Sequence, residues 1–357
     1  RCQLGGIPPV TETHLAANFS DLELKRLTAK GVIYGIIAAL EAWSDAGLPI
    51  PQSNESEPQW DYGTIFGTGM SGVNTLRDAI YKTDEKKVRK LGTTVVEQTM
   101  PSGISAFLSG RLGLGNRVTS NSSACSTGTE SVIMAYEHIK AGKATVMLAG
   151  GCDADGPYVW GGFDSMRVLT YKSNEAPEKA SRPMSATASG FVPGSGGGAL
   201  VLELLESAEA RGAKIYGEVL GGYTNSGGQR GSGSMTAPNA AGTQRCITGA
   251  LADADIKPTQ IDLICGHLTS TMGDVLEVAN WSKALGLSGA EFPLINSLKS
   301  MTGHCLSAAG AIECVAAMLQ LKGGYVHSNL NCEDLHPEIE KNIASQLVPQ
   351  TLIEKEI

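Results

Sequence analysis

Short apolar segments that end in glycine alternate with helical patterns along this chain, and this alternation limits the folds open to it. The stretches "WDYGTIFGTG" and "KATVMLAGGCDA" have the length and composition of buried strands. Helical patterns cover residues 22–46, 103–114 and 127–140, and Gly142 is placed to end the last of them. Strands that alternate with helices pack into layers, so the chain is predicted to be an α/β protein.

A loop-like segment separates two such series. Residues 170–198 are rich in Ser, Gly and Pro, which predicts an ordered loop or an insertion. Strand "ALVLELL" and a short charged helix follow it, and we expect a first half at 1–211 and a related second half at 212–357. The elements expected in the second half are strand "KIYGEVLGGY", a helix at 242–255, strand "IDLICGHL", a helix at 274–286, strand "PLINSL" and a helix at 306–322.

Composition excludes several classes of protein. The 357 residues carry a net charge of −8, which disfavours general nucleic-acid binding. The longest apolar run, near "GVIYGIIAALEAW", is too short to span a bilayer, and no secretory signal pattern is visible, so no membrane association is expected. The eight cysteines form no CxxC pair and lie mostly in apolar runs, which predicts reduced core thiols and a cytoplasmic location.

Cys125, in "SNSSACSTG", lies between strand-like "RVTSN" and the helix predicted at 127–140. The unpaired N–H groups and the dipole of a helix N-terminus favour a thiolate, so we expect the pKa of this thiol to be lowered. The same N–H groups could receive the oxyanion that forms when the sulfur attacks a carbonyl. The position suits a nucleophile for acyl transfer, although a cysteine that simply packs at a tight turn fits it as well.

Two polar motifs follow apolar strands in the second half. "ICGHLTST" places His267 after one strand, and "INSLKSMTGHC" places Lys299 and His304 after another. Sites in open α/β sheets form at the carboxyl ends of strands, so these side chains are candidates for one site. A lone His there is more often structural, but two imidazoles beside a thiol could shuttle protons and stabilise an enolate. Cys265 with His267, or His304 with Cys305, lacks a four-ligand spacing, so no metal site is expected.

The ordered set of motifs resembles the β-ketoacyl-acyl carrier protein synthases, the elongating condensing enzymes of the thiolase superfamily. These motifs are "ACSTG", "GHLTST" and "LKSMTGHCLSAAGAIE", with "GRLGLGNRVTSNSSACSTG", "ASGFVPGSGGGALVLE" and "TAPN" in support. The resemblance covers most of the chain. It implies a thiolase-like fold, in which two related α/β halves form a layered α-β-α-β-α arrangement.

The resemblance also implies an activity and the residues that carry it. The reaction is the decarboxylative Claisen condensation of malonyl-acyl carrier protein with an acyl group held on cysteine, in fatty-acid, polyene or polyketide biosynthesis. Cys125 matches the acyl-accepting nucleophile, and His267 and His304 match the pair that supports decarboxylation and holds the enolate oxygen. Lys299 resembles the lysine that orients this centre. No metal or other cofactor is implied, because phosphopantetheine arrives on the carrier protein.

Further positions match supporting roles in the same family. Glu313 and Glu277 resemble buried acids near the site, and Thr269 and Thr271 resemble the threonines that hydrogen-bond the phosphopantetheine arm. The implied partner is an acyl carrier protein, and a homodimer is expected through the strand at 144–150, with a heterodimer of related subunits as the alternative. Two basic clusters could contact the acidic carrier, although both could equally be solvated helix faces: Lys25 with Arg26 and Lys30, which we favour, and "KKVRK" at 86–90.

The sequence departs from the family pattern in three respects. Leu268 stands where a small residue is usual, and we expect it to crowd the site or reshape substrate access. Ser195 replaces a common acidic residue, and Ala188 and Ser189 replace an acidic and a basic one, so a different hydrogen-bond network is expected. The family's opening strand and its terminal "GFGG"-type loop are not found, and we expect both to lie outside the sequence shown.

Other activities stay open at this stage. A catalytically silent partner subunit of a heterodimer, similar to a chain-length factor, is the main alternative, although such partners typically lose the cysteine that is present here as Cys125. A degradative thiolase would need a second catalytic cysteine near the C-terminus, and none is placed convincingly. A cysteine hydrolase would leave the "KSMTGH" motif without a role.

Overall fold

A computed structural model describes residues 1–51, 56–228 and 239–355. The motif "TAPN" therefore lies almost wholly outside the described residues, with Asn239 as its one described member. The first half contains strands β1 (Tyr62–Thr68), β2 (Val118–Thr119), β3 (Val146–Asp153) and β4 (Gly196–Glu203), and helices α1 (Glu12–Asn18), α2 (Asp21–Arg26), α3 (Lys30–Asp45), α4 (Val73–Asp84), α5 (Val95–Thr99), α6 (Gly103–Leu112), α7 (Thr127–Lys140), α8 (Pro157–Ser165) and α9 (Leu205–Ala210).

These four strands form a mixed sheet in the order β2-β1-β3-β4, in which only β4 runs antiparallel to its neighbour. Every residue of β3 is buried, and alternate side chains serve two cores. Val146 and Leu148 join the core beneath α3 and α6, whereas Met147 and Ala149 join the core beneath α7. The sheet is therefore covered by helices on both faces, as the alternation of elements predicted.

The position of β3 corrects one expectation. This strand pairs with β1 along one side and with β4 along the other, so it has no free edge for a partner subunit. The prediction of a dimer through residues 144–150 is wrong for this reason. Among the described residues, the edge strands of this sheet are β2 and β4.

The strands of the second half are two or three residues long, shorter than β1, β3 and β4 of the first half. A parallel pair, β5 with β6, and an antiparallel pair, β7 with β8, form its sheets. Ile264 and Ile295 of the parallel pair pack with Val278 and Leu285 in a separate core. The elements are α10 (Ala240–Ala254), β5 (Leu263–Cys265), α11 (Gly273–Leu285), β6 (Leu294–Asn296), α12 (Lys299–Thr302), α13 (Ala309–Gly323), β7 (Tyr325–Val326), α14 (Pro337–Glu340) and β8 (Ile353–Glu354).

Helix α13 lies between the two sheets and completes the layering. It packs against β4 and α7 on one side. On the other side its Gln320 contacts Cys265 of β5 and Asn296 of β6. The order of layers is therefore helices, first sheet, α7 with α13, second sheet, and helices again, which is the α-β-α-β-α arrangement that the resemblance implied.

Two predicted elements differ in the structure. The helix expected at 22–46 is two helices, α2 and α3, because the side chain of Gln98 accepts hydrogen bonds from the backbone N–H groups of Thr28 (2.6 Å) and Ala29 (3.0 Å). The strand expected at "KIYGEVLGGY" is absent from these residues, all of which are described. They lie along helices instead, where the carbonyl of Leu220 accepts from Tyr136 and the N–H of Gly222 donates to Asp253.

The other predicted elements of the central layers are confirmed with small changes at their ends. The helix expected at 306–322 begins as a 3₁₀ turn at Leu306–Ala308 and continues as α13. The loop expected at 170–198 ends where β4 begins, at Gly196. Within the ranges that the structure describes, no helix has the length and apolar character that crossing a membrane requires.

Helices α7 and α13 approach each other closely at their first turns. A Cβ atom on Gly128 would lie 2.4 Å from the backbone N of Ala311, and one on Gly310 would lie 2.2 Å from the hydroxyl of Thr129. Real Cβ atoms do not tolerate such distances, so only glycine lets these backbones pack here. Since Cys125 precedes α7 and His304 precedes α13, this contact sets how near the two side chains come.

We expect Gly128→Ala to destabilise the protein by about 1–3 kcal/mol, the usual cost of overpacking. Chemical unfolding at equilibrium would measure the change. Gly110→Ala is the matched control, because Gly110 lies inside helix α6 with nothing within 4 Å of its added Cβ. That control should be neutral or stabilising by up to about 1 kcal/mol, from helix propensity. Equal effects of the two substitutions would contradict the close packing of α7 on α13.

Candidate active site

Cys125 lies in a tight turn that joins β2 to α7. The turn is a single 3₁₀ turn, Ala124–Ser126, and Ala124 has a positive φ of 50°. The hydroxyl of Thr127 braces it by accepting from the N–H of Ser123 (2.8 Å) and donating to the carbonyl of Ala124 (2.7 Å). The turn leaves Cys125 half-buried, with its thiol presented at the start of the helix.

His304 is the nearest partner of this thiol. Its Nε2 lies 3.1 Å from the Sγ of Cys125. The backbone N–H of Leu306 donates to Nδ1 over 3.3 Å, so Nδ1 is the acceptor and Nε2 carries the proton of the neutral ring. The ring of Phe191 packs edge-on against the imidazole, with centroids 5.1 Å apart. His304 is thus a buried N–H donor directed at the sulfur.

His267 completes a compact group of three. Its ring centroid lies 5.1 Å from that of His304, at an interplanar angle of 87°. The Sγ of Cys125 and one nitrogen of each imidazole all lie within 4.8 Å of one another. The structure therefore brings together, from both halves of the chain, the three side chains that the sequence proposed for one site.

The loop that carries His267 is held by two acids of α11. The carboxylate of Glu277 accepts from the backbone N–H groups of His267 (2.7 Å) and Leu268 (2.9 Å). Asp274 accepts in the same way from Thr269 (2.7 Å) and from Ser270 (3.0 Å). Asp274 was not singled out in the sequence, although its place in the first turn of the predicted helix, directly after Gly273, is a usual one for an anchoring acid.

Leu268 does not crowd the site. Its side chain is fully buried and packs in the core of the second half, with Ile264, Val278 and Ile295. Its backbone has a φ of +22°, which is uncommon for a residue with a Cβ and is maintained by the hydrogen bond to Glu277. The expectation that Leu268 crowds the site is wrong, because the reversed backbone turns the side chain into the core.

Thr269 and Thr271 follow on the same loop. Their hydroxyls lie 3.0 Å apart and both side chains are half-buried. The hydroxyl of Thr271 also accepts from the N–H of Gly273 over 3.1 Å. The loop after His267 therefore carries two hydroxyls that hydrogen-bond each other. Binding of the phosphopantetheine arm by this pair stays a prediction.

Lys299 lies beneath the thiol and is paired with an acid. It is 2% exposed, and its ammonium group forms an ion pair with the carboxylate of Glu313 on α13. A buried ammonium is costly unless paired, and Glu313 supplies the opposite charge. Lys299 and Glu313 thus form a fixed charge pair next to the cysteine and the two histidines.

This charge pair and the burial of the site act on the titrating groups. Burial raises the pKa of Cys125, and the positive charge of Lys299 opposes that shift. The expectation of a lowered thiol pKa is therefore wrong in direction, because removal from water outweighs the favourable charges in the site without substrate. Burial, and next the charge of Lys299, lower the pKa of both His267 and His304, so both rings are neutral near pH 7. His267 nevertheless keeps a solvent-exposed side.

The three central side chains are also possible metal ligands. One thiol and two imidazoles are a donor set that zinc accepts, with a fourth position left for water. The proton that His304 carries on Nε2 opposes this use, since a ligand nitrogen must offer a lone pair. The pairs considered from the sequence do not form such a group among the described residues: the thiol of Cys265 contacts Gln320, and that of Cys305 contacts the carbonyl of Thr302.

Uncharged side chains, Ala188, Ser189 and Ser195, occupy the positions that differ from the family pattern in the first half. Ser195 is buried and donates to the carbonyl of Gly6 over 3.0 Å. Ser189 shares a hydrogen bond of 2.8 Å with the hydroxyl of Thr170. The network here is therefore built from uncharged groups, as the substitutions at 188, 189 and 195 predicted.

Comparison with known proteins agrees with this site. Residues 12–208 match the family model of the β-ketoacyl synthase N-terminal domain, and residues 216–333 match that of the C-terminal domain. The 3-oxoacyl-[acyl-carrier-protein] synthase 2 of Vibrio harveyi is 36% identical over 322 residues, which are 89% of this chain and 74% of the relative. Synthase 1 of Escherichia coli K12 is 36% identical over 321 residues, covering 88% and 75%.

Solved structures show the same architecture. A β-ketoacyl synthase from Burkholderia phymatum has a TM-score of 0.84 at 29% identity and covers 98% of this chain and 82% of its own. A type II polyketide synthase ketosynthase, solved in complex with its acyl-carrier protein, has a TM-score of 0.81 at 29% identity and covers 92% and 80%. The fold and the Cys-His-His centre define a thiolase-like condensing protein. Within that class, the chain belongs to the β-ketoacyl synthase family.

Glu277 gives a test of how the His267 loop is held. Burial raises the pKa of this carboxyl to about 7. The negative charge of Asp274 acts in the same direction, whereas the N–H groups of Leu268 and His267 act to lower the pKa. A raised acid pKa means that ionisation costs the folded state free energy. We therefore expect the contribution of Glu277 to the free energy of unfolding to be fully present below pH 4.5, the ordinary pKa of a glutamate. This contribution should fall as the pH rises through about 7.

Chemical unfolding of the protein and of its Glu277→Gln variant between pH 5 and 8 would measure this. The stability advantage of the unsubstituted protein over the variant should shrink as pH rises, because glutamine does not titrate. Glu57→Gln, at an exposed position, controls for the substitution itself. A constant difference between the two curves across this range would contradict a buried, titrating Glu277.

Proposed function

We propose that this protein is an active 3-oxoacyl-acyl carrier protein synthase, a carbon–carbon bond-forming acyltransferase. The observation that carries the proposal is the 3.1 Å contact between the thiol of Cys125 and Nε2 of His304, beside His267 and the Lys299–Glu313 pair. Relatives named 3-oxoacyl-acyl carrier protein synthases are 36% identical to this chain over 88–89% of its length. An acyl group on an acyl carrier protein is the first substrate that we propose.

In the first stage, the thiolate of Cys125 attacks the thioester carbonyl of the acyl carrier protein. A new carbon–sulfur bond forms to Cys125, the bond to the phosphopantetheine sulfur breaks, and that thiol leaves with a proton. The backbone N–H at the start of α7 can stabilise the oxyanion. Because burial raises the pKa of the thiol, the positive charge of Lys299 and the N–H of His304 must stabilise the thiolate as the carrier enters.

In the second stage, malonyl-acyl carrier protein loses carbon dioxide, and the electron pair left behind forms an enolate. Neutral His267 and His304 donate N–H groups to the enolate oxygen, which is the role that their lowered pKa values allow. The enolate carbon attacks the acyl thioester, and the bond between that carbonyl and the sulfur of Cys125 breaks. The product is a 3-oxoacyl chain two carbons longer, still attached to its carrier.

The protein chain itself supplies every group in this scheme, so we propose that no metal or bound cofactor takes part. All eight cysteines are unpaired, in keeping with our proposal of a reducing, cytoplasmic setting.

We further propose a homodimer, with a heterodimer of related subunits as the alternative. The strand that we propose for the subunit interface is β2, in place of β3. β2 pairs on one side only, and its Val118 is 38% exposed. Light scattering would test this through a particle mass of twice 37.2 kDa.

The silent partner subunit remains the alternative to exclude. A solved ketosynthase/chain length factor shares this fold, with a TM-score of 0.83 at 26% identity. A silent subunit has no need of a thiol aligned with a histidine. The preserved pairing of Cys125 with His304 therefore favours the active enzyme.

Intact-protein mass spectrometry after mixing with a panel of acyl carrier proteins tests the first stage. The expected result is a mass gain equal to the acyl group, absent in Cys125→Ala and unaffected by a metal chelator. Cys305→Ala is the matched control, because Cys305 adjoins the site but is buried against the carbonyl of Thr302, and it should retain the gain. A correctly folded protein that gains no acyl group from any carrier would favour the silent subunit.

We propose that the carrier docks on the basic surface around α2. Lys25 and Arg26 are exposed in its last turn. The carbonyl of Arg26 accepts from the side chain of Gln98 (2.9 Å) and from the hydroxyl of Thr94 (3.3 Å). Thr94 lies four residues after the exposed basic cluster at 86–90. The two clusters thus adjoin one surface. Opposite charge there would speed the encounter with an acidic carrier.

Reversing both charges, Lys25→Glu with Arg26→Glu, should slow loading from an acyl carrier protein by about tenfold at low salt, and less at high salt. Loading from a small acyl thioester should not change, because the site itself is untouched. Lys257→Glu, an exposed reversal in the second half, is the control and should have little effect. Equal loss with carrier and small thioester would contradict docking at α2.

A further inference from the structure

Asp153, at the end of β3, is a buried acid with no part in the scheme above. It is 1% exposed, and its carboxylate accepts four hydrogen bonds. The N–H groups of Met70 (3.0 Å) and Ala154 (3.1 Å) donate to one oxygen. The N–H (3.3 Å) and the hydroxyl (2.7 Å) of Ser307 donate to the other. Three separate segments of backbone therefore converge on this carboxylate.

One of these segments leads directly to the active site. Ser307 follows Leu306, whose backbone has a φ of +52°. The N–H of Leu306 is the group that donates to Nδ1 of His304 and so keeps the proton on Nε2, facing Cys125. A left-handed leucine costs about 1–2 kcal/mol, so its surroundings must hold it in place. The double hydrogen bond from Ser307 to Asp153 does so, one residue away.

The hydroxyl of Ser307 adds further links to the first half. It accepts from the N–H of Gly69 over 2.8 Å and lies 2.9 Å from the carbonyl of Cys152. The turn after His304 is thus fixed to the ends of both β1 and β3. These strands belong to the same sheet as β2, which leads to Cys125. A shift of the turn would move His304 relative to the thiol.

We propose that Asp153 is a positioning residue that acts through Ser307 and Leu306 to hold His304 for the decarboxylation and condensation stage. The inference rests on the proposed function and extends it to a residue that touches no substrate. Asp153 also bears on the thiol, because its negative charge adds to the raised pKa of Cys125. The other charged groups near that thiol are Lys299 and Glu313, with the neutral imidazoles of His267 and His304.

Asp153→Asn tests the proposal with little change of volume. Whichever oxygen becomes an NH₂ group, at least one backbone N–H that now donates to it loses its acceptor. We expect the rate constant of condensation to fall by about tenfold or more, as expected for the loss of a charged hydrogen-bond acceptor. The KM for malonyl carrier should stay within about threefold, because the binding surface is untouched. Acyl loading of Cys125 should fall less than condensation, because Lys299 also stabilises the thiolate and loss of the charge at Asp153 removes one cause of the raised thiol pKa.

Asp155→Asn is the matched control from the same turn. Asp155 is also buried, but its carboxylate binds Lys30 (2.8 Å) and Tyr34 (3.0 Å), which lead away from His304. This variant should lose stability without changing the ratio of loading to condensation. Ser307→Ala should reproduce the effect of Asp153→Asn, and the double variant should be little worse than either, because both act through one turn.

The outcomes separate the two proposals. If the unsubstituted protein gains no acyl group on Cys125, the proposed function fails before Asp153 is tested. If loading and condensation fall by the same factor in Asp153→Asn, or fall only as the folded fraction falls, its role is merely structural and the inference is overturned. Fully additive effects of Asp153→Asn and Ser307→Ala on condensation would overturn it as well.

Discussion

The contact between the first turns of α7 and α13 is the constraint on which the rest of this structure depends. Gly128 and Gly310 let the two backbones approach closer than any side chain would permit. Each helix starts a few residues after a candidate site residue, with α7 beginning at Thr127 after Cys125 and α13 at Ala309 after His304. Two halves that are far apart along the chain therefore meet with sulfur and nitrogen 3.1 Å apart.

Around this contact, the site is held by buried carboxylates that bind backbone N–H groups. Glu277 and Asp274 hold the loop of His267, and Asp153 holds the turn after His304. Glu313 differs, because it pairs with the ammonium group of Lys299. Buried acids are costly, and Glu277, Asp274 and Asp153 each offset the cost with two or more hydrogen-bond donors. The backbone that they bind includes residues with positive φ, such as Leu268 and Ser270, so the acids stabilise conformations that would otherwise relax.

The electrostatic character of the site suits chemistry that begins only when substrate arrives. Burial leaves the thiol protonated and both imidazoles neutral. Neutral imidazoles are N–H donors for an enolate oxygen, whereas charged ones would bind a free thiolate tightly and make it a weaker nucleophile. The ammonium group of Lys299, paired with Glu313, supplies the positive potential in the site.

The sequence by itself determined the candidate site residues and the general plan of the fold. Cys125, His267, Lys299 and His304 stand in local patterns of strand, turn and helix, and local patterns are encoded by neighbouring residues. Only the tertiary structure decided features that depend on distant partners. Gln98, about 70 residues away in the sequence, binds the backbone that separates α2 from α3 within the helix expected at 22–46. The residues "KIYGEVLGGY" pack along helices and do not pair with a strand. The inward turn of Leu268, the interior place of β3 and the raised pKa of Cys125 likewise arise from burial, which no stretch of sequence specifies alone.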